Sequence, residues 1–361
     1  MKRNLIALTM AAAMVVSLAG CGSSGAASTS SAGAASAAST DTASSAAAST
    51  ASTADASSAA ATTGAKDITS LKLAFIVGTE NDAFYQTVEK GIKDECAKLG
   101  IKNTTFGDQQ LNATKCTDLI NTYVAGKYDA IALSCNDKAG VVPAFKDANA
   151  AKIPMFTFDC TLDAKYADQY QAFVGTNNKA GGEVAGKYIL SQVKDGDVVA
   201  CITYASAQSC IDRQAGFEDT IKAGIAGGKK ITLATSQDAN DDQSKASDIM
   251  QDLVTKYGSK LSYVFVVGDP TGYGALSSIQ SMGASTKIVG FDAGETACKY
   301  IADTKKVGKT WVADVAQDPH GIGAGIVDKM AEYFKTGKVA EKDNELTPTL
   351  VTADNVSKYL K

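Results

Sequence analysis

Histidine is almost missing from this chain of 361 residues, which has only His320. A site built on imidazole, either a metal ligand set or a nucleophile with its general base, needs more than one. Clustered basic residues are missing as well. The formal net charge is −4 and the sequence pI about 5.2, which argues against a nucleic-acid surface with its gathered lysine and arginine. The eight cysteines form no CxxC pair and no finger-like spacing. Cys21 has a separate role, described next. The other seven (Cys96, Cys116, Cys135, Cys160, Cys201, Cys210, Cys298) are odd in number, so they read as small buried side chains more than as a disulfide frame.

The apolar run over 5–19 is too short to span a bilayer as a helix. It follows Lys2 and Arg3, and so reads as a secretory signal over 1–20. It closes on Leu18-Ala19-Gly20-Cys21, the pattern of a bacterial lipoprotein box. Small residues there admit the peptidase, and the Cys21 sulfur takes the diacylglyceryl group. Several acyl chains hold a protein at a membrane where one would be marginal. From 21 to 66 the chain is nearly all Ser, Ala, Thr and Gly, which cannot bury a core and predicts a disordered tether. As a flexible coil it reaches on the order of 35–40 Å. The expected location is therefore outside the cytoplasm, anchored to the cell membrane.

The folded body is organised around the stretch 71–85, LKLAFIVGTENDAFY. A compact apolar run over 73–77 predicts a buried strand, Gly78 a turn, and 86–99 an amphipathic helix. That is the opening unit of a parallel α/β sheet. Further strands are expected at 129–135, 153–159, 172–175, 197–204, 230–235, 262–267, 288–291 and 311–316. Helices are expected at 112–125, 140–151, 179–193, 214–226, 244–257, 272–282, 296–304 and 322–335. Such alternation, with too many strands for one compact sheet, predicts two lobes. Polar residues recur just beyond the strands: Asp82, Asp159, Arg213 after Tyr204, Asp269, Asp292 and Gln317. One such residue is more often a helix cap than a ligand. Six at corresponding places in two lobes point to a shared cleft, since loops at the carboxyl ends of parallel strands face the crevice. The rings of Phe84 and Tyr85 either line that cleft or pack onto the domain.

These motifs, in order, resemble the type I periplasmic solute-binding proteins of ABC importers, in particular the ribose- and galactose-binding group. The likeness runs from about Ile68 to the C-terminus. It rests on ENDAFYQTVEKGIKDECAKLG (80–100), IPMFTFD (153–159), GTNNKAGGEVAGKYI (175–189), RQAGFEDTI (213–221), IVGFDAG (288–294), VAQDPHGIGAGIVDKM (315–330) and VTADNVSKYL (351–360). The resemblance implies two doubly wound Rossmann-like lobes that close on a sugar about a three-strand hinge, with crossings near 175–176, 317–318 and 346–348. It implies an N-terminal lobe of 67–175 plus 318–346 and a C-terminal lobe of 176–317 plus 347–361. It further implies a ligand set of Asp82, Phe84, Tyr85, Asp159, Cys160, Arg213, Asp269, Asp292 and Gln317, an ABC permease as partner, a monomer, and no cofactor or metal. Carboxylates accept from sugar hydroxyls, a guanidinium donates in a fork, and a ring covers C–H faces.

Three departures point away from ribose itself. Cys160 stands where the family's ribose binders have arginine, Gly268 where they have asparagine, and the loop 238–243 has no ring to complete a sandwich. The run from Asp238 to Asp242 starts like a calcium loop, but Gln243 replaces its turn glycine and Ile249 its closing glutamate. GIGAG at 321–325 lacks the tail of a dinucleotide fingerprint and reads as close backbone packing. Against the binding-protein reading stand a carbohydrate-active enzyme using Asp159 and Asp292, and a sensor that presents its ligand to a membrane kinase or chemoreceptor. A regulator's effector domain is disfavoured by the secretory signal and the lack of a DNA-binding segment.

Overall fold

Short apolar runs bounded by polar residues become strands covered on both faces. The computed structural model describes residues 66–360. The expected signal, Cys21 and all but the last residue of the tether lie outside the described residues. In order come β1 (Lys72–Val77), α1 (Ala83–Lys98), β2 (Asn103–Asp108), α2 (Ala113–Ala125), β3 (Ala130–Leu133), α3 (Val142–Ala150), β4 (Met155–Phe158), β5 (Phe173–Thr176) and α4 (Asn178–Gln192). There follow β6 (Val198–Thr203), α5 (Gln208–Ala226), β7 (Thr232–Leu233), β8 (Gln237–Asp238), α6 (Gln243–Tyr257), β9 (Leu261–Val266), α7 (Asp269–Ser281), β10 (Lys287–Asp292) and α8 (Glu295–Ala302). The chain finishes with β11 (Trp311–Ala316), α9 (Pro319–Thr336), β12 (Asp343–Leu346) and β13 (Thr349–Thr352).

The strands form two sheets. The first runs β12-β5-β4-β3-β1-β2 and is parallel throughout. The second runs β13-β11-β10-β9-β6-β7, with β8 also on β6, and is parallel except for β13. The period of two along β1 explains the layering. Leu73, Phe75 and Val77 pack with Val88 and Ile92 of α1 and Ile322 and Ile326 of α9. Ala74 and Ile76 point the other way, onto Cys116 and Ile120 of α2 and Phe145 of α3. The second sheet repeats the plan. Val199 and Cys201 face Ile189 of α4 and Phe217 of α5, and Ala200 and Ile202 face Met250 of α6 and Ile279 of α7. Each large apolar side chain buried this way contributes roughly 1.5–3 kcal/mol.

The chain passes between the sheets three times: from β5 into α4, from β11 into α9, and from β12 to β13. Polar caps start several helices. Asp82, Asn112, Asn177, Asp242 and Asp318 each accept a backbone N–H of the first turn. Asp242 thus serves α6, and Asp238 accepts from the N–H groups of Ala205 and Asn240, so both ends of the calcium-like run have structural work.

Besides the short strands β8, β12 and β13, which have no counterpart among the expected strands, four elements depart from the sequence expectations. The edge strand β2, Asn-Thr-Thr-Phe-Gly-Asp, is too polar to show an apolar run. The strand expected over 230–235 shrinks to two residues at the sheet edge. Helix α5 begins six residues before the expected 214, which places Arg213 within a helix instead of in a strand-end loop. Helix α7 begins at Asp269, which therefore joins the helix instead of the crevice loop.

Three helix pairs touch backbone to backbone, α6 and α7 among them at Gly274, where a Cβ would meet the Gln243 carbonyl oxygen. A methyl group on Gly323 would run into the Val88 carbonyl oxygen, which accounts for GIGAG as packing of α9 on α1. One on Gly182 would run into the carbonyl oxygen of Arg213, so α4 holds α5, and with it the arginine, at the closest approach two helices allow. Gly182→Ala gains about 1 kcal/mol of helix propensity but meets an immovable backbone atom, an overpacking cost of about 1–3 kcal/mol. The expected net result is a lower melting temperature by calorimetry. A variant that melts at or above the parent would show that the helices can part freely.

Candidate functional site

With the two-residue β8 set aside, each sheet has the order 2-1-3-4-5 over its first five strands, so connections diverge to opposite faces beside its first strand and leave a crevice at the carboxyl ends. The crevices lie between β1 and β3 in the first lobe and between β6 and β9 in the second. Residues leaving those strands line one common cavity of about 60 Å3. At about 10–15 Å3 for each water-sized occupant, it holds only a handful of such positions, the scale of a small polyol. A wider space of about 610 Å3 lies on the far side of Asp159 and Ser209. Exposed charges such as Lys165 and Lys179 line much of it, whereas buried polar groups converge on the smaller cavity. The smaller one is the candidate site.

In the first lobe Asp159, just past β4, is buried. Its Oδ2 accepts from the Tyr85 hydroxyl at 2.8 Å and from Ser134 Oγ at 2.8 Å. Asn136 Nδ2 in turn donates to the Tyr85 oxygen at 2.9 Å. Tyr85 thus works through its hydroxyl as a support for Asp159, while Phe84 meets it edge to face at 5.2 Å and presents the more accessible ring. Asp82 has two tasks, since Oδ1 caps α1 at the Phe84 N–H and the carboxylate also lines the cavity.

The second lobe is built about Arg213. Its Nε donates to Asn178 Oδ1 at 2.8 Å and its Nη1 to the Val267 carbonyl at 2.7 Å. The Asp292 carboxylate stands 3.5 Å away, and the guanidinium lies 3.8 Å over the Phe291 ring. Asp292 also accepts from Gln317 Nε2 at 2.6 Å and from the Asp269 N–H at 3.1 Å. Gln317 reaches back to the first sheet, where Thr176 donates to its Oε1 at 2.5 Å. The lobes also touch at the Cys160 thiol, 3.1 Å from Ser209 Oγ.

Backbone strain gathers here. Asp159 (φ 60°), Asp241 (φ 56°) and Asp292 (φ 105°) all lie at positive φ, as does Leu111 of the lining (φ 52°). Such positions cost on the order of 1–3 kcal/mol each and persist where packing over-determines them, characteristically at binding sites. Charge gathers too. Burial raises the Asp82 carboxyl above its usual range, against the pull of the Phe84 N–H, and the Asp159 charge adds to the rise. Burial, then Asp292 and Asp82, push Asp241 up to about 7. Burial holds Asp292 near 6 even though Arg213 pulls it down.

Eight of the nine residues named from sequence line this cavity: Asp82, Phe84, Tyr85, Asp159, Cys160, Arg213, Asp292 and Gln317. Asp269 does not, and its assignment to the ligand set is corrected. As the first residue of α7 it turns inward, where Oδ2 accepts from the Gly294 N–H at 2.9 Å, beside Asp314. Sequence reasoning missed Asn136, Tyr204, Ser209 and Asp241. The first two carried the signal used elsewhere, a polar residue just past a strand. Tyr204 supplies from the end of β6 the second-lobe ring that the loop 238–243 lacks.

The two-lobed α/β body thus brings its strand ends together at one small polar cleft. The chain belongs to the periplasmic binding protein domain family, whose profile matches residues 73–338, in its type I architecture. It is similar to the ribose import binding protein of Bacillus subtilis, 28% identical over 74% of this chain and 82% of that protein. It is also similar to the fructose import binding protein of Bifidobacterium longum, 25% identical over 95% of this chain and 92% of that one. Among solved structures, an ABC transporter solute binding protein from Agrobacterium vitis with bound D-fucose superposes with a TM-score of 0.70. It is 28% identical, covering 80% of this chain and 97% of that chain.

Asp269 and Asp314 make a pH prediction. Burial raises both carboxyls, with the Asp314 and Asp292 charges adding to the rise at Asp269 and the Asp292 charge to that at Asp314, even though Asp314 accepts from Trp311 Nε1 and the Ala293 N–H. The native state therefore holds protons that the unfolded chain releases. That stability is fully present below the ordinary carboxylate range and is lost as pH rises through about 7, where Asp314 titrates. Melting of the ligand-free protein should occur at higher temperature at pH 5.5 than at pH 8. Asp269→Asn, which mimics the protonated acid, should flatten that difference, and an unchanged slope would remove the pair as its source.

Proposed function

We propose that this protein captures a small neutral or amino monosaccharide between its lobes and delivers it to an ABC permease, from a lipid anchor at Cys21. The lobes are 67–175 plus 318–346 and 176–317 plus 347–361, and the chain acts as a monomer outside the cytoplasm. The observation that carries the reading is the cavity, small and lined by both lobes, in which several carboxylates and one buried guanidinium share the lining with a phenyl ring. Hydroxyls donate to the acids and accept from Arg213, and the ring covers C–H faces. The relatives named for ribose and fructose import support the same class of ligand. Binding without turnover fits the acids better than catalysis does. The Oδ2 of Asp159 is held by Tyr85 and Ser134, and Asp292 by Arg213, Gln317 and a backbone N–H, as fixed acceptors.

Titration calorimetry of the tether-free body against monosaccharides, uronates and sugar phosphates tests this. A neutral or amino sugar should bind, and acidic ones should be rejected, because unpaired like charge is costly in a closed cleft. Asp159→Ala and Arg213→Ala should each weaken binding by about 1.5–3 kcal/mol, the worth of a hydrogen bond to a charged group. A uronate or phosphate sugar bound more tightly than every neutral one would overturn the reading.

The anchor has its own test. Cys21→Ser should yield released protein or an uncleaved precursor without acyl label. A mature-length, acyl-labelled variant still in the membrane fraction would sink the assignment.

A further inference from the structure

Hydrogen-bonding capacity in the cavity is lopsided toward acceptors. Arg213 has already committed Nε and Nη1 to Asn178, Val267 and Asp292, which leaves Nη2 to donate, and Gln317 has committed one amide hydrogen to Asp292. On the other side, Asp159 takes both side-chain bonds on Oδ2, and Asp82 takes its bond on Oδ1. Asp241 accepts only a long bond, 3.4 Å, from the Thr271 hydroxyl. Asn136 Oδ1 is buried with no hydrogen-bond partner, on a side chain only 5% exposed that lines the cavity. A buried acceptor left unpaired costs roughly 1–3 kcal/mol, so a ligand that donates there recovers it.

The surplus is also one of charge. Gly268 leaves a gap between two of the acids, for a Cβ there would lie 3.4 Å from Asp292 Oδ2 and 3.9 Å from Asp241 Oδ1. Asp82 reaches the same space from the other lobe and adds to the repulsion on both. One guanidinium, already neutralising Asp292, faces this group, and a neutral thiol stands at Cys160. A metal ion does not fit, since among the described residues no three His, Cys, Asp or Glu side chains are placed to hold one. An ammonium fits, having three donors, no acceptor and a positive charge.

We propose that the ligand is a cationic amino sugar or aminopolyol, its ammonium directed at Asp82 and Asp241 and a further donor at Asn136 Oδ1. This rests on the sugar-binding reading and narrows it to a class. The protonated amine takes the place of the protons that the crowded acids otherwise retain, so its binding releases protons near neutral pH.

Calorimetry at pH 7 on matched pairs tests it: glucosamine with glucose, galactosamine with galactose, mannosamine with mannose, and 1-amino-1-deoxysorbitol with sorbitol. At least one amine should bind about tenfold or more tightly than its neutral partner, the range of one hydrogen bond to a charged group. Runs in buffers of different ionisation enthalpy should show proton release. Asp241→Asn, and independently Asp82→Asn, should cost the amine about tenfold more than its neutral partner. Neutral members bound as well as the amines in every pair would overturn this inference and leave the sugar reading standing. Equal losses for both members in both variants would overturn it too. No binding by any member of the panel would overturn both.

Discussion

A buried guanidinium needs fixed partners, and the second lobe is arranged around supplying them to Arg213. Left unpaired, such a charge would cost several kcal/mol. Its partners come from separate elements: Asn178 at the start of α4, the Val267 carbonyl past β9, Asp292 and the Phe291 ring at the end of β10. They meet only because α4 and α5 run together at Gly182, where no side chain intervenes. Helix packing, strand order and electrostatics therefore converge on one side chain. The first lobe needs no equivalent, since Tyr85, Ser134 and Asn136 hold Asp159 through neutral hydrogen bonds.

Much of this was legible in the sequence because parallel strands leave a strong local trace. An apolar run followed by an acid marks both the strand and the rim of the crevice, at once for Asp159 and Asp292 and across the Gly78 turn for Asp82. The same rule misled at Asp269. Helix α7 starts at once after Gly268, so its first side chain turns back into the lobe, and only the three-dimensional start of the helix decides that. Arg213 was found by resemblance and misplaced by pattern, because the first turn of α5, Gln-Ser-Cys-Ile, lacks a capping side chain to announce it. Asn136 and Tyr204 obeyed the strand-end rule and were passed over as flanking residues. Asp241 could not have been read as a lining residue, since its role depends on a left-handed backbone in a loop. The polar edge strand β2 shows the same limit, with pairing to β1 supplying what its composition does not.

Magnitudes then say what holds the cleft shut. Beside the Thr176–Gln317 bond between the sheets, the contact of the Cys160 thiol with Ser209 is that of a weak donor and a neutral hydroxyl. Hydrogen bonds to charged groups are worth about 1.5–3 kcal/mol each, and a ligand spanning the cavity makes them to both lobes at once. A ligand shifts an open–closed balance only by its differential affinity for the two forms. Asp82 and Asp159 of the first lobe line the same small space as Asp241 and Asp292 of the second, so a cleft that closed there without a ligand would gather like charge at low dielectric. On the proposed reading, the acids that would meet the ligand also oppose closing on an empty cavity. A binding protein gains discrimination from that opposition: the occupant must supply enough donors, or enough positive charge, to reverse it. An occupant carrying negative charge would instead add to the repulsion it has to overcome.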